Sequence, residues 1–185
     1  MTILRKIKIM TTAAMCLCMM AAVSSCVNDD EPENHGVRPG DPVPQFSVVT
    51  DAGETVSSSS LRGKVGAIEF FNTTCPDCRR SFPGLQNLCE RFADDPRVVV
   101  LAIARDEARE SIEAYWKANS LSIPFSPQPD RKVYELFAST GIPRIFIISP
   151  DGTVAAAFGP EDQPTSSALA EAVMSQLPAA TSTFY

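Results

Sequence analysis

The chain has one histidine, His35, one tryptophan, Trp116, and fewer basic than acidic residues, 16 Lys and Arg against 22 Asp and Glu, for a net charge of −6. An acidic surplus of this kind argues against nucleic-acid binding and against a polybasic membrane patch. Histidine is scarce where a metal would need it. His35 stands in an acidic, Pro/Gly-rich stretch, so the C-x-x-C pair Cys75 and Cys78 has only Cys89 to add to it, one ligand short of a zinc site. No metal is therefore expected. There is no internal repeat, and 185 residues with 44 % hydrophobic content suffice for one domain with a substantial core.

The first 25 residues differ from the rest. Arg5, Lys6 and Lys8 form a basic start, and Ile9 to Val23 is an apolar run, the pattern of a signal peptide. The run ends Val23-Ser24-Ser25-Cys26, which resembles a bacterial lipobox, with Cys26 lipidated as the mature N-terminus. An ordinary cleaved signal or an uncleaved anchor is the alternative. Without the three leader cations 13 basic residues face 22 acidic ones, a net charge of about −9, so attachment to a membrane would come from lipid. Residues 26–40 read as an acidic flexible tether and 41–185 as the folded domain. Asn28 to Glu31 also resembles the acidic tract that sends some lipoproteins to the outer face of the outer membrane; a solvated linker is the other reading.

Along the domain, Phe46, Val48 and Val49 predict a short strand, Asp51 to Gly53 a turn and Glu54 to Val56 a returning strand. Ser57 to Ser60 offers a possible helix N-cap. Val65 to Phe71 is a buried strand. After it Phe82, Leu85, Leu88, Cys89 and Phe92 recur at helical spacing, with Pro83 expected to kink the helix. Val98 to Ala104 suits a buried parallel strand. Helices are expected over 111–119, 132–139 and 165–177, with an extended connection through Ile123-Pro124-Phe125. Strands are expected at Ile145 to Ile148 and Val154 to Phe158. This alternation predicts an α/β fold with a mixed sheet.

The chemistry concentrates at Phe70 to Pro83. A strand runs into Cys75, and Pro76 opens a helix, which places the Cys75 sulfur over free N–H groups where a sulfur anion is favoured. Asp77 opposes that effect, while Arg79 and Arg80 support it. Cys75 is the expected nucleophile and Cys78, one turn on, the resolving thiol. Glu69 is a carboxylate in an apolar strand, unless it faces outward at a sheet edge. If buried, it should have a raised pKa and suit proton transfer. Cys89, Tyr115, Trp116 and Phe125 read as packing.

Gly63-Lys64 before the strand, Cys-Pro-Asp-Cys opening a helix, Pro83 five residues later, and Gly141-Ile142-Pro143 followed by Phe146 to Gly152 together resemble the TlpA/ResA type of thiol:disulfide oxidoreductase. The resemblance covers about Val37 to Leu177. It implies a thioredoxin fold, with a mixed central β-sheet flanked by helices, an N-terminal β-hairpin and a βα insertion of the TlpA/peroxiredoxin type. It also implies a redox-active Cys75–Cys78 disulfide with no other cofactor. Pro143 would be a cis-proline facing the dithiol, where a substrate strand pairs beside Thr74, Pro76, Asp77, Ile142 and Pro143.

Glu69 stands at the offset of thioredoxin's buried acid. Relatives often carry an acid where this chain has Ser81, and a tryptophan where it has Thr74. The expected partners are protein disulfide substrates and an upstream thiol electron donor, with a reducing poise. The expected place is the bacterial cell envelope, lipid-anchored at the outer membrane on its periplasmic or surface face. Copper chaperones of the Sco type space their cysteines one residue wider and add a distant histidine, which this chain lacks. A peroxiredoxin-like peroxidase would need Pro and Thr or Ser where Ile68 and Asn72 stand. A non-catalytic thioredoxin-fold module in an outer-membrane assembly is the third reading.

Overall fold

The structure, a computed structural model, describes residues 36–178. The leader, the lipidation site Cys26 and the tether up to His35 lie outside the described residues. The last tether residues belong to the fold: Val37 N–H donates to the Phe137 carbonyl and Gly40 N–H to that of Val154, both at 2.8 Å.

Two strands, β1 (Ser47–Val49) and β2 (Thr55–Ser57), form the expected antiparallel hairpin, with Val48 opposite Val56. The central sheet contains β3 (Val65–Phe71), β4 (Val98–Ala104), β5 (Phe125–Ser126), β6 (Arg144–Ile148) and β7 (Val154–Phe158) in the order β5-β4-β3-β6-β7. β3 pairs in parallel with β4 and antiparallel with β6; β4 and β5 are parallel, β6 and β7 antiparallel. Every residue of β3 is buried, as a central strand covered on both faces requires.

The helices are α1 (Pro76–Arg91), α2 (Arg109–Asn119), α3 (Lys132–Glu135) and α4 (Ser166–Met174). Strand alternation sends Phe70 and Phe71 to opposite faces of the sheet. Phe70 packs with Tyr134, Phe137 and Phe146, ring centroids 4.9–6.1 Å apart. Phe71 meets Phe82 of α1 and Trp116 of α2 at 5.4 and 5.1 Å. Glu69, two residues before Phe71, therefore points to the α1 face.

α1 carries Pro83 within its length and runs on to Arg91. Several other elements differ from expectation. The serine run makes a turn, in which Ser57 N–H donates to Ser60 Oγ, and starts no helix. α2 begins two residues early, and Phe125–Ser126 adds an edge strand where an extended connection was expected. α3 is four residues long, not eight. Beyond it the Ala138 N–H still donates to the Tyr134 carbonyl at 2.9 Å, Phe137 is buried, and the Phe137 carbonyl accepts from Val37.

Candidate active site

The site stands where β3 ends and α1 begins. Cys75 is the helix N-cap, with extended backbone (φ −76°, ψ 120°) and Pro76 behind it. Its thiol is half-buried, whereas Cys78 is fully buried one turn further on. Cys75, Cys78 and Cys89 are free thiols. Burial pushes the Cys78 thiol well above the ordinary range, against a backbone hydrogen bond from Asn72, and the nearby Cys75 and Glu69 add to the rise. Cys78 thus holds its proton until a base removes it, and Cys75 is the accessible sulfur.

The Cys75 thiol donates to the Ile142 carbonyl at 3.6 Å, and the Ile142–Pro143 peptide bond is cis. Gly141, just before it, has φ +76°, and a Cβ there would stand 2.8 Å from Pro160 Cγ. Tyr134 O–H donates to the Gly141 carbonyl at 2.7 Å and holds this loop from below.

Glu69 is completely buried rather than edge-facing. Burial raises its carboxyl to about 8, against the lowering effect of a hydrogen bond from Ser81. Ser81 O–H donates to Glu69 Oε1 at 2.5 Å, and the Ser81 Oγ also lies 2.9 Å from the Cys78 carbonyl, while Glu69 Oε2 has no partner among the described residues. Ser81, which the sequence presents as a missing acid, thus connects the buried acid to the residue it would serve.

Asp77 is paired with Arg80, both partly exposed, so the charges of this pair largely offset each other beside Cys75. Arg79 is engaged elsewhere. Its Nε donates to the Thr73 carbonyl at 2.6 Å and its guanidinium lies over the Tyr115 ring.

Two residues that sequence reasoning does not assign to the site shape the approach to Cys75. Buried Glu107 accepts the Thr73 N–H at 2.7 Å and also the Thr73 hydroxyl. Asn72 Oδ1 accepts the Thr74 N–H at 2.9 Å and its hydroxyl at 2.6 Å, and Nδ2 donates to the Arg105 carbonyl at 3.2 Å. Thr74 is therefore exposed but turned toward Asn72. A polar residue just past the end of a buried strand is the only signal for Glu107, and it names no partner. Among the described residues no three His, Cys, Asp or Glu side chains converge as a metal site requires.

Against this geometry, a family profile described as "AhpC/TSA family" matches residues 39–157. The chain belongs to that family. Over 118 residues it is 25 % identical to the thiol-disulfide oxidoreductase ResA of Bacillus subtilis strain 168, covering 64 % of this chain and 65 % of that protein. A Bacteroides thetaiotaomicron solution structure superposes with a TM-score of 0.70 at 26 % identity, covering 76 % of this chain and 91 % of that chain. The crystal structure of a thiol:disulfide interchange protein of the thioredoxin family from Chlorobium tepidum TLS gives 0.64 at 29 %, covering 77 % and 99 %. The AhpC/TSA member described here has the thioredoxin-like fold of these neighbours, a mixed central sheet flanked by helices.

Proposed function

We propose that the protein is a thiol:disulfide oxidoreductase that reduces disulfides of envelope proteins. The observation that carries this reading is the accessible Cys75 at a helix N-terminus, with the buried Cys78 behind it and the Ile142–Pro143 backbone in front. Similarity to proteins named thiol-disulfide oxidoreductase and thiol:disulfide interchange protein supports it.

In the first step the Cys75 thiolate attacks one sulfur of a substrate disulfide. A Cys75–substrate bond forms, the substrate S–S bond breaks, and the departing substrate sulfur takes up a proton. In the second step Glu69 accepts the Cys78 proton and Cys78 attacks the Cys75 sulfur. The intramolecular disulfide forms and the second substrate thiol leaves. Two electrons pass to the substrate, and an upstream dithiol donor restores Cys75 and Cys78 to thiols. Lipidation at Cys26 would hold this chemistry at the outer membrane, and the acidic tether would give it reach.

Insulin reduction with dithiothreitol, run beside peroxide consumption for the wild type and Cys75→Ser, tests the proposal. Cys75-dependent insulin reduction without peroxide turnover supports it. Peroxide turnover alone would make the protein a peroxidase, and neither activity would make it a binding module.

A further inference from the structure

Several cations of the domain are engaged within the fold. Arg79 holds the Thr73 carbonyl, Arg80 pairs with Asp77, Arg131 with Glu135, Lys132 with Asp130, and Arg109 with Glu113. Arg144 Nε donates to the Thr140 carbonyl. Arg105 differs from all of these. Its side chain makes no hydrogen bond or ion pair among the described residues, and its Nε is buried without a partner. A buried donor left unpaired costs stability.

The position of Arg105 is nonetheless fixed. Its N–H donates to the Phe71 carbonyl at 2.7 Å, its carbonyl accepts from Asn72, and its guanidinium lies 5.2 Å from the centroid of the Tyr134 ring. Arg131 lies over the same ring at 5.4 Å. Tyr134 in turn bonds the Gly141 carbonyl, one residue before the carbonyl that accepts from Cys75. Arg105 thus stands at the same end of the sheet as Cys75, between the loop leading into it and the loop facing it. A guanidinium held over an aromatic ring, whose Nη1 and Nη2 groups make no hydrogen bond among the described residues, is suited to a carboxylate, which it can bind through two parallel hydrogen bonds.

We propose that Arg105 selects substrates that carry an aspartate or glutamate close to the cysteine attacked by Cys75. This rests on the disulfide reduction proposed above and adds the class of polypeptide it favours. The substrate strand lies along Ile142–Pro143 and extends its acidic side chain to the Arg105 fork.

The test uses the full chain with dithiothreitol and peptides bearing one disulfide, matched except for Asp, Asn or Lys placed two to four residues from the cysteine. The wild type should show kcat/KM at least about fivefold higher for Asp than for Asn, lower still for Lys, with the ratio shrinking as salt rises. In Arg105→Gln the Asp-to-Asn ratio should fall to about one, and Arg105→Lys should keep part of it. Because each ratio is taken within one enzyme, a general loss of activity does not imitate the effect. Should Arg105→Gln fail to fold, Arg105→Lys decides, and an Asp-to-Asn ratio equal to that of the wild type counts against Arg105. Reduction of all peptides without preference, or a preference unchanged in Arg105→Gln, overturns the assignment of Arg105 and leaves the oxidoreductase reading standing. Failure to reduce any peptide overturns both.

Discussion

The Ser81 hydroxyl lies 2.5 Å from Oε1 of Glu69, and through it the helix that carries both cysteines is tied to the carboxyl group buried in the central strand. Burial raises the Glu69 pKa to about 8 and the Ser81 bond holds it down. Ser81→Ala should therefore move the alkaline rise in the rate of mixed-disulfide resolution to higher pH, as read from the pH dependence of mixed-disulfide decay. Glu69→Gln should slow resolution at neutral pH by roughly 100-fold, a usual size for loss of a proton acceptor. An unchanged profile in both variants would remove Glu69 from the mechanism.

The same carboxyl makes stability depend on pH in a defined direction. With a folded pKa of about 8 against a reference of 4.5, the folded chain binds more protons than the unfolded chain between those values. Stability from this group is fully present below about pH 4.5 and is lost as pH rises through 8. Denaturant melts at pH 5 and 8 should show a loss for the wild type of up to about 4 kcal/mol from this group, absent from Glu69→Gln.

Glu107 fixes Thr73 through its backbone N–H and its hydroxyl, two residues before Cys75. Glu107→Ala leaves the Thr73 N–H without its partner and should cost about 2 kcal/mol of stability. It should also lower the rate of attack by Cys75 roughly tenfold, because the nucleophile's loop is no longer held in place. Glu107→Gln, which still accepts one hydrogen bond, should recover part of both losses. Stopped-flow measurement of the first thiol exchange, with denaturation of the same samples, separates the two effects.

Cys89 lies half-buried on α1, and burial, then the charge of Glu90, raises its thiol pKa. Iodoacetamide near neutrality should modify Cys75 well ahead of Cys89, and Cys89→Ala should retain insulin reduction within about twofold. A tenfold loss would place Cys89 on the electron path.

Much of this arrangement is legible in the residues because it is local. An apolar run ending in Cys75-Pro76 reads directly as strand, cysteine and helix, and alternation along β3 determines which way Glu69 points once the strand is known to be central. The contacts that sequence does not disclose join distant segments. Glu107 and Thr73 are 34 residues apart. Val37 bonds the carbonyl of Phe137, a contact across 100 residues that no helical periodicity records. Ser81 reads as a departure from relatives until the fold shows that it faces Glu69. Arg105 reads only as a polar interruption after an apolar strand, because its significance lies in what it leaves unpaired.

In the proposed reaction Cys75 attacks the substrate and Cys78 resolves the intermediate. Incubating Cys78→Ser with a disulfide peptide and mapping the adduct by mass spectrometry tests it most directly. A persistent mixed disulfide on Cys75, absent from the Cys75→Ser, Cys78→Ser double variant, is the expected result. An adduct on Cys89, or a stable adduct on Cys78 in Cys75→Ser formed as fast as the one on Cys75, would contradict it.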